Sequence, residues 1–434
     1  MSYRSLHLLC RCLLVIAVVV LALPSMAIGN DWCLRSAAGP SPRRGAAMAY
    51  DSCRNATILF GGIAGGPPAS DETWEWDGTS WTLHTPSGPT GRESHRMAFD
   101  STRCVVVLFG GTDGNGAYLG DTWEWDGNSW TQANPSTNPP TRSGAAMAYD
   151  PDCGVTVMFG GWNGSRDTAA WEWDGTNWLS FTPATRPSGR DKHAMVYDAA
   201  LQDVVLFGGK VNTGPFGPDQ NDTWRYDCGS HAWTQVSTTV QPSQRGSHAM
   251  TYDAARARVV LFGGEGPASG TVVHGDTWEW SGADWSQVAP IRSPSARHLT
   301  ASAYDSVREE TVVFGGATDV AVGSLVADTW PIRKTRRILF QRCHTGASWR
   351  WVCCCSRPGR WLCRVVVWRG NKPRMGRDME AHGASAAQTD PHPKRHHLVH
   401  PCRHSVPAFD IRSPASKTWI SSGEGTTSFF ARSP

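Results

Sequence analysis

Residues 92–130 read RESHRMAFDSTRCVVVLFGGTDGNGAYLGDTWEWDGNSW. Arg92 is followed seven positions on by Phe99, and ten further on by Phe109-Gly110-Gly111. That spacing occurs six times. Its first members are Arg43, Arg92, Arg142, Arg190, Arg245 and Arg297, and its aromatics are Tyr50, Phe99, Tyr149, Tyr197, Tyr252 and Tyr304. The Phe-Gly-Gly members begin at Phe60, Phe109, Phe159, Phe207, Phe262 and Phe314, and successive copies start 48 to 55 residues apart. A repeat of about fifty residues with strand patterning inside it implies an all-β, six-bladed β-propeller. A propeller names no activity by itself.

Each copy reads as four short strands. In residues 92–130 the first strand is Ser94 to Phe99, and Asp100 opens a turn in which its carboxylate can accept from nearby backbone amides. Cys104 to Phe109 is a continuous apolar run, as expected for a strand buried on both faces. Gly110-Gly111 ends it, because paired glycines allow positive φ and close backbone approach. Asp121-Thr122-Trp123-Glu124-Trp125 alternates, Asp126-Gly127 signals a hairpin, and Trp130 begins the fourth strand.

The block resembles a kelch repeat. The resemblance rests on the double glycine after an apolar strand, an aromatic pair 12 to 17 residues later, and a further Trp seven residues on in four of the five copies that have it. It covers residues 32–330. It implies a bladed propeller that binds protein or carbohydrate partners, with enzymes a minority of the family.

The sixth copy stops inside its third strand at Asp328-Thr329-Trp330 and lacks the fourth-strand Trp. An unpaired Trp32 stands eleven residues before Arg43, the distance from Trp81 to Arg92. Trp32 therefore reads as a displaced fourth strand that closes the ring and leaves no free sheet edge.

At the N-terminus, Arg4 and Arg11 precede eleven apolar residues, Leu13 to Leu23, and then Pro24-Ser25-Met26-Ala27. Eleven residues are too few to span a bilayer, and the small residues suit signal peptidase, so residues 1–27 read as a signal peptide cleaved before Ile28. The expectation is a secreted or periplasmic monomer without a membrane span. From Pro331 the chain changes character. Residues 331–434 hold 19 Lys and Arg against 5 Asp and Glu, a net +14, while the remainder holds 22 against 33, a net −11. This basic tail, with six Cys, seven His and no Tyr, reads as a disordered extension or the product of a shifted reading frame. Binding of nucleic acid by the tail is the functional alternative; none is expected for the propeller. Cys353, Cys354, Cys355 and Cys363, with His344, His396 and His397, contain zinc-ligand types, but three contiguous Cys cannot all turn toward one ion. The propeller itself carries Cys33, Cys53, Cys104, Cys153 and Cys228, and in an exported protein some pairing is expected, with connectivity not readable from spacing.

Strands run alternately, so the loops joining strands two to three and four to one share a face. That face varies in length from copy to copy, whereas the first turn on the opposite face is constant. Variable loops on a rigid scaffold are where recognition is expected. The ligand-binding candidates are Asp113, Asn115 and Tyr118 in the second copy, Trp162, Asn163 and Arg166 in the third, Lys210, Asn212 and Phe216 in the fourth, and Glu265 and His274 in the fifth. Trp162 is the propeller Trp outside the repeat positions, which suits a stacking platform or an aromatic anchor.

Repeated residues read as structural. The six Arg are expected to fix blade boundaries, with Glu75, Glu124, Glu172 and Glu279 as partners. His95, His193 and His248 share one repeat position, three after the Arg, and are expected to hydrogen-bond within the fold rather than to hold a metal. Asp113-Gly114-Asn115-Gly116 resembles the start of a calcium loop, but Ala117 and Tyr118 stand where an oxygen ligand and a Gly are needed, so it reads as a turn. No catalytic residue, metal ligand or cofactor is assigned. The sequence thus favours a binding or scaffold module for a polysaccharide or protein partner. The alternative is a propeller enzyme, either a glycan-processing one or one resembling galactose oxidase, for which Tyr118 and Tyr226 are the tyrosines free to serve and no matching His pair accompanies them.

Overall fold

The computed structural model describes residues 26–35, 38–211, 218–266, 272–320, 323–338, 348–354, 361–368 and 427–431. Of the predicted leader, residues 1–27, residues 1–25 lie outside them. The chain divides into two compact units, one of residues 28–335 and one of residues 1–27 with 336–434. In the second unit, strands Ser348–Cys354, Trp361–Trp368 and Thr427–Ala431 pair antiparallel into a three-stranded sheet.

The first unit is the propeller, with six four-stranded antiparallel blades. Blade 2 shows the register: Arg96–Asp100 pairs with Val105–Phe109, then Thr122–Trp125, then Trp130–Ala133. The two faces of the apolar second strand pack against the adjacent blades, Val106 and Leu108 toward blade 1 and Val107 toward blade 3, and all three are fully buried. Asp100 caps the first turn by accepting from the amides of Thr102 and Arg103, each at 3.0 Å, as the turn chemistry predicts.

Blade 6 is completed by the N-terminus. Its sheet runs Ala301–Asp305, Glu310–Phe314, Thr329–Ile338 and Met26–Trp32. Trp32 is fully buried, packs on Phe262 at 5.1 Å, and donates from its indole N–H to Thr277 Oγ1 at 3.1 Å. The fourth-strand Trp81, Trp130, Trp178 and Trp285 each bond in the same way to Thr329, Thr73, Thr122 and Thr223 of the preceding blade. Trp32 is thus the sixth member of one inter-blade pattern. The exception is Trp233, whose opposite residue is Ala170 and whose Nε1 has no partner. The propeller register also continues past the compositional break: Pro331 lies opposite Val312, and the fully buried Ile332 occupies the position of Trp76 and Trp125.

The six repeated Arg are buried, but their partners differ from the expected glutamates. Arg92 forks onto Asp121 at 2.7 and 2.9 Å, and its equivalents meet Glu72, Asp167, Asp222, Asp276 and Asp328. Each partner lies in the same blade ahead of the strand's first Trp, four residues before it in blade 3 and two in the other five, and also accepts the indole N–H of that Trp74, Trp123, Trp171, Trp224, Trp278 or Trp330. The strand's own glutamate, present in blades 1, 2, 3 and 5, is three to five residues farther along. Glu124 and Glu279 instead receive Arg103 and Arg256 from the first turns. Blade boundaries are joined by the backbone of the same Arg: the second Gly of each pair donates to the Arg carbonyl of the next blade, from Gly62–Arg92 round to Gly316–Arg43, at 2.8 to 2.9 Å. A side chain cannot replace the first glycine: at Gly61 (φ 72°) a Cβ would lie 2.5 Å from the Arg92 carbonyl oxygen.

The inner strands surround a central channel. Met48, Met97, Met147, Met195 and Met250 border both of its chambers, an upper one of about 110 Å³ and a lower one of about 370 Å³ that the six repeat aromatics line. Two disulfides stitch blades on the constant face, Cys53–Cys104 between blades 1 and 2 and Cys153–Cys228 between blades 3 and 4.

Candidate functional site

The variable face is built as concentric rings. Two residues after each repeated Arg the backbone turns left-handed, at Gly45, Ser94, Gly144, Lys192, Ser247 and Leu299, with φ between 53° and 66°. Each of these amides donates to the carbonyl of the equivalent residue in the preceding blade at 2.7 to 3.0 Å, and Gly45 donates to Leu299, so the belt is closed around the channel mouth. Four non-glycine residues accept a conformation that costs of order 1 kcal/mol each to make that belt.

Outside it, the residue after each double glycine bridges the residue after each Arg. The pairs are Ile63 with Arg44, Thr112 with Glu93, Trp162 with Ser143, Lys210 with Asp191, Glu265 with Gly246 and Ala317 with His298. Trp162, Lys210 and Glu265 are therefore one position in three consecutive blades.

Blades 3 to 6 carry two polar clusters on these rings, one around Asp191 and one around Glu265. The Arg166 guanidinium lies 4.7 Å from the Trp162 ring and pairs with Asp191 at 2.7 Å. Glu265 receives Lys192 at 2.9 Å, Lys210 at 3.5 Å, His298 at 3.4 Å and the Ser247 hydroxyl at 3.2 Å. Burial alone would raise the Glu265 carboxyl, but the two ammonium groups hold it at about 2. Asp219 is fully buried and, among the described residues, neither of its carboxylate oxygens has a hydrogen-bond partner. Burial pushes it up to about 6, and Lys210 only partly offsets that.

The structure thus brings Arg166 to Trp162 and Lys210 to Glu265, the latter two buried rather than exposed on the face. Trp162 stays half-buried on the face. Asp113 accepts the amides of Asn115 and Ala117 at 2.8 and 3.0 Å, the turn that its sequence implies, and Tyr118 bridges Thr112. Asn163 makes a similar turn with Ser165 at 3.4 Å. His274 donates its amide to Gly264 at 2.8 Å and accepts from the Arg297 amide at 3.0 Å, and burial beside Arg245 lowers its imidazole pKa. Asn212 and Phe216 lie outside the described residues, as do Cys355, His344, His396 and His397 of the tail.

His95, His193 and His248 are structural, packed on the preceding blade. Each ring lies edge-on to Phe60, Phe159 or Phe207 at 5.5 to 5.8 Å, and no hydrogen bond of normal geometry reaches a ring nitrogen among the described residues. Burial lowers all three, so they are neutral at pH 7. Tyr226 is not a free tyrosine. It replaces the second third-strand Trp, is fully buried against Trp233, and donates to Glu172 at 2.7 Å. Asp150, Cys153 and Cys228 converge, but the disulfide already uses both sulfurs.

Sequence reading missed Asp191, Lys192, Asp219 and His298, all of which follow a repeated Arg or close a variable loop. Tabulating each repeat position across copies finds the first, second and fourth. It also isolates Arg96, which stands where the other blades have Ala47, Ala146, Ala194, Ala249 and Ala301.

No helix of the described residues is long and apolar enough to cross a membrane. No curated protein matches the chain at a significant level. The profile of the KLHDC2/KLHL20/DRC7 Kelch-repeats domain matches residues 28–183 and 157–336, which takes in all six blades. The chain belongs to that kelch-repeat family, whose propeller is a protein-binding scaffold.

Proposed function

We propose that this protein is an exported, monomeric kelch scaffold that holds a protein partner on its variable face. The observation that carries the reading is the Trp162–Arg166–Asp191 assembly: a half-buried indole stacked by a guanidinium that is itself fixed by a carboxylate at 2.7 Å. An aromatic anchor whose neighbour is already immobilised loses little entropy on binding, which is the character of interface hot spots. Export is supported by the apolar N-terminal segment and by two disulfides on one face, which persist in oxidising compartments.

The test captures proteins from the extracellular fraction with full-length wild type, Trp162→Ala, and Asn128→Ala on the opposite face, alongside a glycan array. The expected result is one retained protein, reduced at least tenfold by Trp162→Ala and unchanged by Asn128→Ala. Glycan binding lost in Trp162→Ala, with no protein retained, overturns the protein reading in favour of a polysaccharide.

A further inference from the structure

The residue facing the channel four positions after the repeated Arg is Ala in five blades and Arg96 in blade 2. Arg96 borders the upper chamber with Ser94, His193, Ser247, His248 and Thr300. Its guanidinium donates once, to the His95 carbonyl at 3.2 Å, and among the described residues it meets no carboxylate. This contrasts with the six repeated Arg, each of which is paired with an acid.

The chamber is therefore a small, partly open cavity with one positive charge that meets no carboxylate among the described residues. Burial alone lowers the Arg96 pKa, to about 10, so it stays charged at neutral pH. His193 (1% exposed) and His248 (7% exposed) border the same space with ring nitrogens that have no hydrogen-bond partner among the described residues, and burial, helped by the nearby Arg190, Arg245 and Arg96, lowers both, so neither adds charge. A half-buried cation without an anion is unfavourable, and a guanidinium fork matches a planar carboxylate through two parallel hydrogen bonds.

We propose that the upper chamber of the central channel binds a small monocarboxylate anion on the Arg96 guanidinium. A volume of about 110 Å³ admits an acetate-sized ligand and excludes a folded partner, so this site is separate from the outer face.

The experiment titrates the full-length protein with sodium acetate against sodium chloride at constant ionic strength, read by calorimetry and by melting temperature. Saturable one-site binding is expected, abolished in Arg96→Ala and at least tenfold weaker in Arg96→Lys, whose ammonium cannot fork. Because Ala is the residue of the other five blades, Arg96→Ala should fold and, without acetate, melt above wild type. Absence of saturable binding, or equal binding by Arg96→Ala, overturns the site. Sulfate binding as tightly as acetate, and lost in Arg96→Ala, overturns the carboxylate assignment.

Discussion

At the scale of single residues, the repeat supplies its own controls. Trp233 is the fourth-strand Trp facing an alanine, and its buried Nε1 lacks the acceptor that Thr73, Thr122, Thr223, Thr277 and Thr329 offer elsewhere. Ala170→Thr should restore that bond and stabilise by ~1 kcal/mol, seen as a raised denaturation midpoint. Arg245 is fully buried on Asp276, so Arg245→Ala should cost ~3–5 kcal/mol in the same assay, because a desolvated carboxylate is left behind. Asp219 predicts a pH dependence. Its folded pKa of about 6 lies above its ordinary value of 3.8, so its ionisation opposes folding above about pH 6. That penalty fades as the pH falls from about 6 toward 4. Asp219→Asn should therefore raise stability at pH 7–8, by ~1–3 kcal/mol, and flatten the wild-type profile between pH 6 and 4. Glu265 works in the other sense: its stabilising contribution is present above its ordinary 4.5 and is lost as the pH falls toward about 2.

At the scale of elements, the question is how much of each blade was legible. The strand alternation, the Asp-capped first turn and the Phe-Gly-Gly terminus are local events, settled by side chains close in sequence, and all recur in the structure. The closing strand was legible for a different reason: the Trp32–Arg43 interval repeats the Trp81–Arg92 interval, so the chain order of a blade is preserved across the termini. Trp32→Ala should cost ~3–5 kcal/mol by emptying a buried indole site and removing its bond to Thr277, and an unchanged melting temperature would count against closure. The arginine partners were misread because a glutamate alternating with tryptophan looks available on paper. The strand's length puts it at the far end from the Arg, where the first-turn Arg103 and Arg256 reach it instead.

At the scale of the whole molecule, the two faces are built differently. The constant face is held by first-turn Asp–Arg pairs that reach across blades and by both disulfides. Reduction should lower stability by ~2–4 kcal/mol per bond, and Cys53→Ser/Cys104→Ser should remove only the share belonging to blades 1 and 2, measured by denaturation with and without reductant. The opposite face is held by a closed belt of backbone bonds, which leaves its side chains free to differ.

The sequence alone determined the blade count, the strand order within each blade, the circular closure through Trp32 and the face on which the loops vary. Those follow from periodicity and from contacts between neighbours in the chain. Only the tertiary structure decided that Trp162, Lys210 and Glu265 share a ring, that Asp219 sits buried beside Lys210, and that Arg96 projects alone into the channel. Asp219 and Lys210 meet across one hairpin, and the ring positions are about fifty residues apart. The ring relations depend on how six inner strands are tilted around one axis, which brings distant repeat positions within ion-pair range and sets which charge is left without a partner.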